Sequence, residues 1–157
     1  MDEKLTALKL VLNELNVPPT IDTVDDRKRL QKAIYLVQTA GVDLGYRYGW
    51  YLMGPYSPGL TRDYYELDEA TDEQVTRLEL KPAVKKKISD LRGLLSSPSD
   101  FPLADEDWLE LLSSVHFLVK VSGHGRTEAL SVLRREKPHL VDYEPTAAAA
   151  LKKANLL

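Results

Sequence analysis

The histidines and cysteines are the first place to look for catalytic or metal chemistry. His116, His124 and His139 are not at metal-binding spacings, and no glutamate accompanies one in an HExxH arrangement. Without cysteine, the chain has no disulfide framework, thiolate metal site, iron–sulfur cluster or cysteine nucleophile. Glycine-rich phosphate-binding sequences and the G-x-S-x-G nucleophile sequence are also missing. We therefore expect a protein that is not an enzyme and that uses no cofactor and no metal.

Two histidines have both a structural and a functional interpretation. His124 stands between two glycines and close to Arg126, so flexible backbone amides there could bind an anion. An ordinary loop between helices is the simpler interpretation. His116 falls in the middle of a predicted helix beside Val115 and Phe117, which favours a partly buried packing residue.

Acidic residues form two clusters. A metal-dependent hydrolase or nuclease would need carboxylates that converge on one site, and spacing along two distant helices does not establish convergence. Solvated helix faces, or helix N-termini that favour negative charge, explain such clusters. The clusters are Asp63, Glu66, Asp68, Glu69, Asp72 and Glu73, and then Asp105, Glu106, Asp107 and Glu110.

Aromatic residues are concentrated in one short segment, since six of the eight tyrosines lie within twenty residues around Trp50. Alternation over residues 45–54 predicts a strand with Tyr46, Tyr48, Trp50 and Leu52 on one face and Arg47, Gly49, Tyr51 and Met53 on the other. Packing between helices is the structural explanation. The functional explanation is a recognition patch, because tyrosine and arginine are enriched at interface hot spots. Its expected members are Arg47, Tyr51, Tyr56 and Arg62.

Helical periodicity governs the rest of the chain. The predicted helices cover residues 2–16, 25–41, 57–67, 82–95, 105–122, 127–136 and 146–155. Asp25 or Asp26 is expected to cap the second helix, and Asp105 or Asp107 the fifth. Residues 54–59 predict a tight turn, and residues 71–80 suit either a short helix or an edge strand. The fold class predicted is mainly α with a small β hairpin or strand element, in one compact, winged-helix-like domain over residues 1–157.

One segment resembles a known family. Leu30-Gln31-Lys32 with Tyr35, followed by Gly54-Pro55-Tyr56-Ser57 and then Leu60 and Asp63, resembles the motif of the Panacea group, which comprises the SocA-like antitoxin domain and its YwgA-like relatives. The resemblance covers about forty residues and implies a mainly helical domain with a winged-helix-like or hairpin element. It implies no catalytic residues and a partner protein as the target. The motif positions are Leu30, Gln31, Lys32, Tyr35, Trp50, Gly54, Pro55, Ser57 and Asp63.

The basic residues of the chain suggest an alternative function, the binding of nucleic acid. Two groups of them could contact nucleic-acid phosphates despite a net charge of -3. These are Arg27, Lys28, Arg29 and Lys32, and the later run of Lys81, Lys85, Lys86, Lys87 and Arg92.

The leading hypothesis is a non-enzymatic protein-interaction module, antitoxin-like or associated with phage and plasmid defence. A winged-helix-like DNA-binding regulator is the alternative, and a metal-dependent hydrolase is the least favoured.

The hydropathy of the sequence bears on where the protein is located and on whether it forms homo-oligomers. The first fifteen residues are charged and amphipathic, and no apolar run of 18 residues occurs, so we expect a cytoplasmic protein without membrane contact. Large apolar side chains at Phe101, Trp108 and Phe117 leave homo-oligomer formation open.

Overall fold

The computed structural model describes residues 2–69 and 78–157, apart from the side chains of residues 68 and 69. The described chain is mainly α-helical with one small antiparallel sheet, as the sequence predicts. Its elements are α1 (Glu3–Leu15), α2 (Val24–Thr39), β1 (Gly49–Tyr51), β2 (Gly54–Tyr56), α3 (Pro58–Glu69), α4 (Pro82–Leu95), α5 (Asp105–His116), α6 (Arg126–Glu136) and α7 (Glu144–Lys153). Most of the ambiguous segment 71–80 lies outside the described residues, and residues 78–80 form neither helix nor strand.

Helix α2 is the centre of the fold. It packs against α5, α4 and β2, and all eight residues from Leu30 to Val37 are buried. The spacing of Leu30, Ile34 and Val37 predicts one buried face, which is confirmed, but the helix is buried on its other faces as well. The polar side chains of Gln31 and Lys32 are thereby removed from water, so they require hydrogen-bond partners inside the protein.

Both predicted aspartate caps are wrong. Thr23 caps α2, and Asp26 closes a capping box from the third helical position. Ala104 occupies the cap position of α5 and makes no side-chain cap. Asp105 instead accepts a hydrogen bond from the Ser97 amide at 2.8 Å. The acidic first turn of α5 still complements the positive end of the helix dipole.

The single strand predicted for residues 45–54 is a hairpin. Residues 42–48 form no regular element, β1 begins at Gly49, and the chain reverses at Leu52 and Met53. Residues 54–56 form β2 rather than part of a turn, with Trp50 opposite Pro55. The predicted alternation therefore holds as far as Trp50 and fails at Leu52, which lies in the reversal and is exposed.

The remaining helices agree closely with prediction. Ser57 precedes α3 and its hydroxyl accepts from the Leu60 amide at 3.3 Å, as an N-cap does. α4 has the predicted bounds, and α7 begins at Glu144, two residues before the predicted start. A π-helical segment, Phe117–Val121, continues α5. Across residues 2–69 and 78–157, no helix combines the length and the hydropathy needed to span a bilayer.

Candidate functional site

Buried charged side chains meet between α2, α5 and the end of α6. The two carboxylate oxygens of Glu110 lie 2.5 Å from Lys28 Nζ and 2.6 Å from Lys137 Nζ. Lys28 also reaches Asp107 Oδ1 at 2.9 Å. Lys137 immediately follows α6 and its side chain is only 1% exposed. Removing these charges from water is costly, so the arrangement calls for an explanation beyond stability.

Lys32 belongs to the same cluster but has no carboxylate partner among the described residues. It is 2% exposed, and its ammonium donates a short hydrogen bond to the backbone carbonyl of Pro55. Burial lowers the pKa of Lys32 to about 7, against the attraction of Glu110 and with help from the neighbouring charges of Lys137 and Lys28. When Lys32 is protonated, the cluster holds three positive charges against the two negative charges of Glu110 and Asp107.

Two of these lysines hold the hairpin by its backbone. Lys137 Nζ donates to the carbonyl oxygen of Leu52 at 3.0 Å, and Lys32 donates to that of Pro55. The two acceptors flank the glycine that starts β2. Because each lysine is fixed in the interior, the backbone is tied to the helical core both in the chain reversal, at Leu52, and just after it, at Pro55.

Gln31 fixes the end of the hairpin. Its side-chain amide donates to the Ser57 carbonyl and accepts from the Ser57 amide, both at 2.9 Å. This paired contact mimics one step of a β ladder. The backbone carbonyl oxygen of Gln31 in turn accepts a hydrogen bond from the Tyr48 hydroxyl at 2.9 Å. The two parts of the motif that resembles the Panacea group are thus joined by direct hydrogen bonds.

Gly54 is required by both conformation and space. Its φ is +91°, in the region that favours glycine, and an added Cβ would lie 2.5 Å from Ser114 Oγ on α5. Ser114 is fully buried, and its hydroxyl has no hydrogen-bond partner in the described chain. The hairpin backbone is therefore pressed against α5 at this position.

Trp50 secures the hairpin from its inner face. The ring centroids of Trp50 and Phe117 lie 5.7 Å apart, and the Trp50 indole nitrogen donates a hydrogen bond to Glu136 Oε1 at 3.1 Å. The Lys137 ammonium lies 5.5 Å from the ring centroid, within the range of a cation–π contact.

The outer end of the hairpin is apolar and exposed. We call Tyr51, Leu52 and Met53 the hairpin tip; they are 49%, 89% and 41% exposed. Leu52 and Met53 are not among the predicted site residues. The predicted continuous strand places Leu52 on the face of Trp50, and it places Met53 on the face of Arg47 and Tyr51 without including it in the patch. The glycine directly after them, which marks a hairpin turn, was the signal that could have identified them.

The predicted recognition patch is only partly assembled. Tyr51 and Tyr56 pack edge to face with ring centroids 5.2 Å apart, and the Tyr56 hydroxyl lies 2.5 Å from Thr61 Oγ1. Arg47 and Arg62 are exposed, and neither forms an ion pair with a described residue. Asp63 of the motif accepts from the Tyr46 hydroxyl at 2.7 Å, and the Tyr35 hydroxyl lies 2.7 Å from His116 Nδ1.

The basic residues of α2 face the protein rather than solvent. Lys28 and Lys32 are in the buried cluster, and Arg29 pairs with Glu106. Arg27 donates to the Ile21 carbonyl at 2.7 Å. On α4, by contrast, Lys85, Lys86 and Lys87 are exposed.

Residues of the second acidic cluster form ion pairs inside the fold. Glu106, Asp107 and Glu110 each pair with a cation of α2. Within the part of the chain that the structure describes, no three histidine, aspartate or glutamate side chains are grouped as metal ligands.

The histidines make local contacts. His116 is buried as predicted, and burial, with Lys120 nearby, lowers its pKa to about 4. His124 pairs with Glu128 at 2.9 Å.

Comparison of the chain with protein-family models, with curated proteins and with solved structures gave no match.

Proposed function

We propose that this chain is a non-enzymatic protein-interaction module that binds a partner protein through the hairpin tip. The observation that carries the proposal is the combination of exposed apolar side chains at Tyr51, Leu52 and Met53 with a backbone held from beneath by buried lysines. Exposed apolar groups on adjacent residues are typical of interaction sites. The antitoxin-like or defence-associated role follows from the resemblance to the Panacea group.

Rigidity is what makes the hairpin tip suitable for binding. Two-stranded hairpins are marginal by themselves in water, so this one depends on its contacts with the core. Those contacts are the hydrogen bonds from Lys32, Lys137 and Gln31 and the close approach of Gly54 to Ser114. A loop that is ordered before binding loses less conformational entropy on association, which raises affinity.

The chemistry of the tip indicates the kind of partner surface. Tyr51 and Met53 belong to the residue types enriched at interfaces, and Leu52 is the most exposed large apolar side chain of the described chain. Arg47 and Arg62 supply exposed positive charge without partners among the described side chains. We therefore expect an apolar groove on the partner with carboxylates at its rim.

The test is quantitative affinity purification of the tagged protein from its own host, with Leu52→Asp beside the wild type. Val121→Ser is the matched control, because Val121 is another exposed apolar residue. We expect one nuclease-insensitive protein to be recovered stoichiometrically with the wild type and the control, and to be depleted at least about 10-fold with Leu52→Asp. Circular dichroism and a thermal melt should show that Leu52→Asp folds normally.

Equal recovery of that protein by Leu52→Asp and the wild type would overturn the proposal. The exposed lysines of α4 favour the alternative, a DNA-binding regulator. That alternative predicts recovery of nuclease-sensitive nucleic acid without a stoichiometric protein, and its loss on combined Lys85→Gln, Lys86→Gln and Lys87→Gln substitution.

A further inference from the structure

A cavity of about 210 Å³ lies between the first half of α2, the hairpin and α3. Cationic side chains of Arg27, Lys28 and Lys32 line one side, while Met53, Tyr56 and Tyr64 supply apolar and aromatic surface. None of the described aspartates or glutamates lines it. The cavity thus presents positive charge next to an apolar wall.

The cations around this cavity are incompletely neutralised. Lys28 shares Glu110 with Lys137 and reaches Asp107. Arg27 and Lys32 each hydrogen-bond a neutral backbone carbonyl, of Ile21 and Pro55 respectively, and neither pairs with a carboxylate in the described chain. When Lys32 is protonated, two cations without a directly paired carboxylate among the described residues face one cavity, an environment that favours an anion.

We propose that this cavity binds a small organic acid, whose carboxylate or phosphate monoester group contacts Arg27 and Lys32 and whose compact apolar body lies against Tyr56 and Tyr64. Arginine and lysine are the side chains that recognise both anionic groups. The proposal is independent of the protein partner assigned to the hairpin tip, although Met53 lies at both surfaces.

The dimensions are consistent with such a ligand. An engineered cavity of about 150 Å³ in another protein holds benzene, so this one has room for a ring and an anionic group. Burial lowers the pKa of Lys32 to about 7 despite the attraction of Glu110, and a bound anion would offset that penalty. Thr61 and Gln31 also line the cavity, where the Gln31 side-chain amide donates to Thr61 Oγ1 at 3.0 Å.

Isothermal titration calorimetry on the purified full chain tests the site with benzoate, phenyl phosphate and benzamide. Benzamide has nearly the shape of benzoate without its charge. We expect saturable binding of at least one anion, at least about 10-fold tighter than binding of benzamide. No saturable binding of either anion at about 10 mM, or equal affinity for benzamide, would overturn the proposal.

Substitutions then locate the binding site. Arg27→Gln and Lys32→Met should each weaken anion binding by about 10-fold or more, whereas Lys85→Gln on the exposed face of α4 should leave it unchanged. Arg27 is only partly buried, so Arg27→Gln retains the test if Lys32→Met does not fold. Wild-type affinity in Arg27→Gln, or a matching loss in Lys85→Gln, would place the anion elsewhere and overturn the proposal. Neither result depends on the protein partner of the hairpin tip.

Discussion

The Lys137 ammonium donates a 3.0 Å hydrogen bond to the backbone carbonyl of Leu52, although the lysine side chain is 1% exposed and the leucine residue 89% exposed. The most enclosed cation of the cluster thus holds the most exposed large apolar residue of the described chain. A buried charge is weak evidence of stabilisation in itself. Its contact with the hairpin backbone accounts for it better, since it fixes a surface element that has little core of its own.

Gly54→Ala should destabilise the protein by about 2 kcal/mol or more. The substitution places a side chain at φ +91° and brings its Cβ to 2.5 Å from Ser114 Oγ. Urea denaturation followed by circular dichroism measures the free energy of unfolding.

Gly93→Ala is the matched control for Gly54→Ala. Gly93 lies within α4 with open space around its added Cβ, so its substitution should stabilise by about 0.5–1 kcal/mol. Adding Ser114→Ala to Gly54→Ala should restore part of the loss by removing the clashing oxygen. Equal unfolding free energies for the two single glycine variants would contradict this account of the turn.

Glu110→Gln should cost about 3–5 kcal/mol, because it removes the buried carboxylate that Lys28 and Lys137 share. Asp90→Asn is the comparison, since its pair with Lys86 is exposed and worth little. Thermal and urea unfolding distinguish the two. Similar small losses in both variants would show that the buried cluster is not energetically coupled as its geometry implies.

Lys32 should make stability depend on pH above neutrality. The unfolded chain keeps this proton up to a pKa near 10.5, whereas the folded protein gives it up near 7. The unfolded state therefore binds more protons in that window, so wild-type stability should rise from about pH 7 to pH 9 relative to Lys32→Met. Unfolding free energies at matched ionic strength measure the difference. Parallel pH curves for the two proteins would contradict the predicted charge state.

His116 should make the free energy of unfolding depend on pH in the acid range. Its pKa is about 4 when folded against 6.5 unfolded, so the stability present above pH 6.5 is lost as the pH falls towards 4, by about 3 kcal/mol. His116→Gln should remove this loss while keeping an acceptor for the Tyr35 hydroxyl. His139→Gln, at an exposed position, should behave as wild type. The same acid loss in all three proteins would exclude His116 as its source.

Periodicity predicted those parts of the fold in which side-chain burial follows one helical face. The leucine spacing of α1 predicts its buried face, Pro82 predicts the start of α4, and Ser57 before Pro58 predicts the cap of α3. Each prediction has a local cause, and each is confirmed. The aspartate caps failed because Thr23 stands one residue before α2, because Asp105 accepts from the Ser97 amide eight residues earlier, and because Asp107 pairs with Lys28, 79 residues away. Local sequence does not show such partners.

The candidate site depended on contacts distant in sequence. Gln31, Lys32 and Ser57 are motif positions, but the sequence does not show that Gln31 bonds Ser57, 26 positions away, or that Lys32 bonds Pro55, 23 positions away. Glu110 stood in an acidic cluster with no sign that it alone would be buried between two lysines. Lys137 had no sequence signal. Treating residues 45–54 as one strand also concealed the tip, because the register of a hairpin decides which residues point outward.

The most direct test of the central claim is the dissociation constant of the purified partner for the wild type and for Leu52→Asp, measured by biolayer interferometry with Val121→Ser as the control. The account predicts at least about 10-fold weaker binding by Leu52→Asp and unchanged binding by Val121→Ser. Equal affinity of a correctly folded Leu52→Asp and the wild type would contradict it.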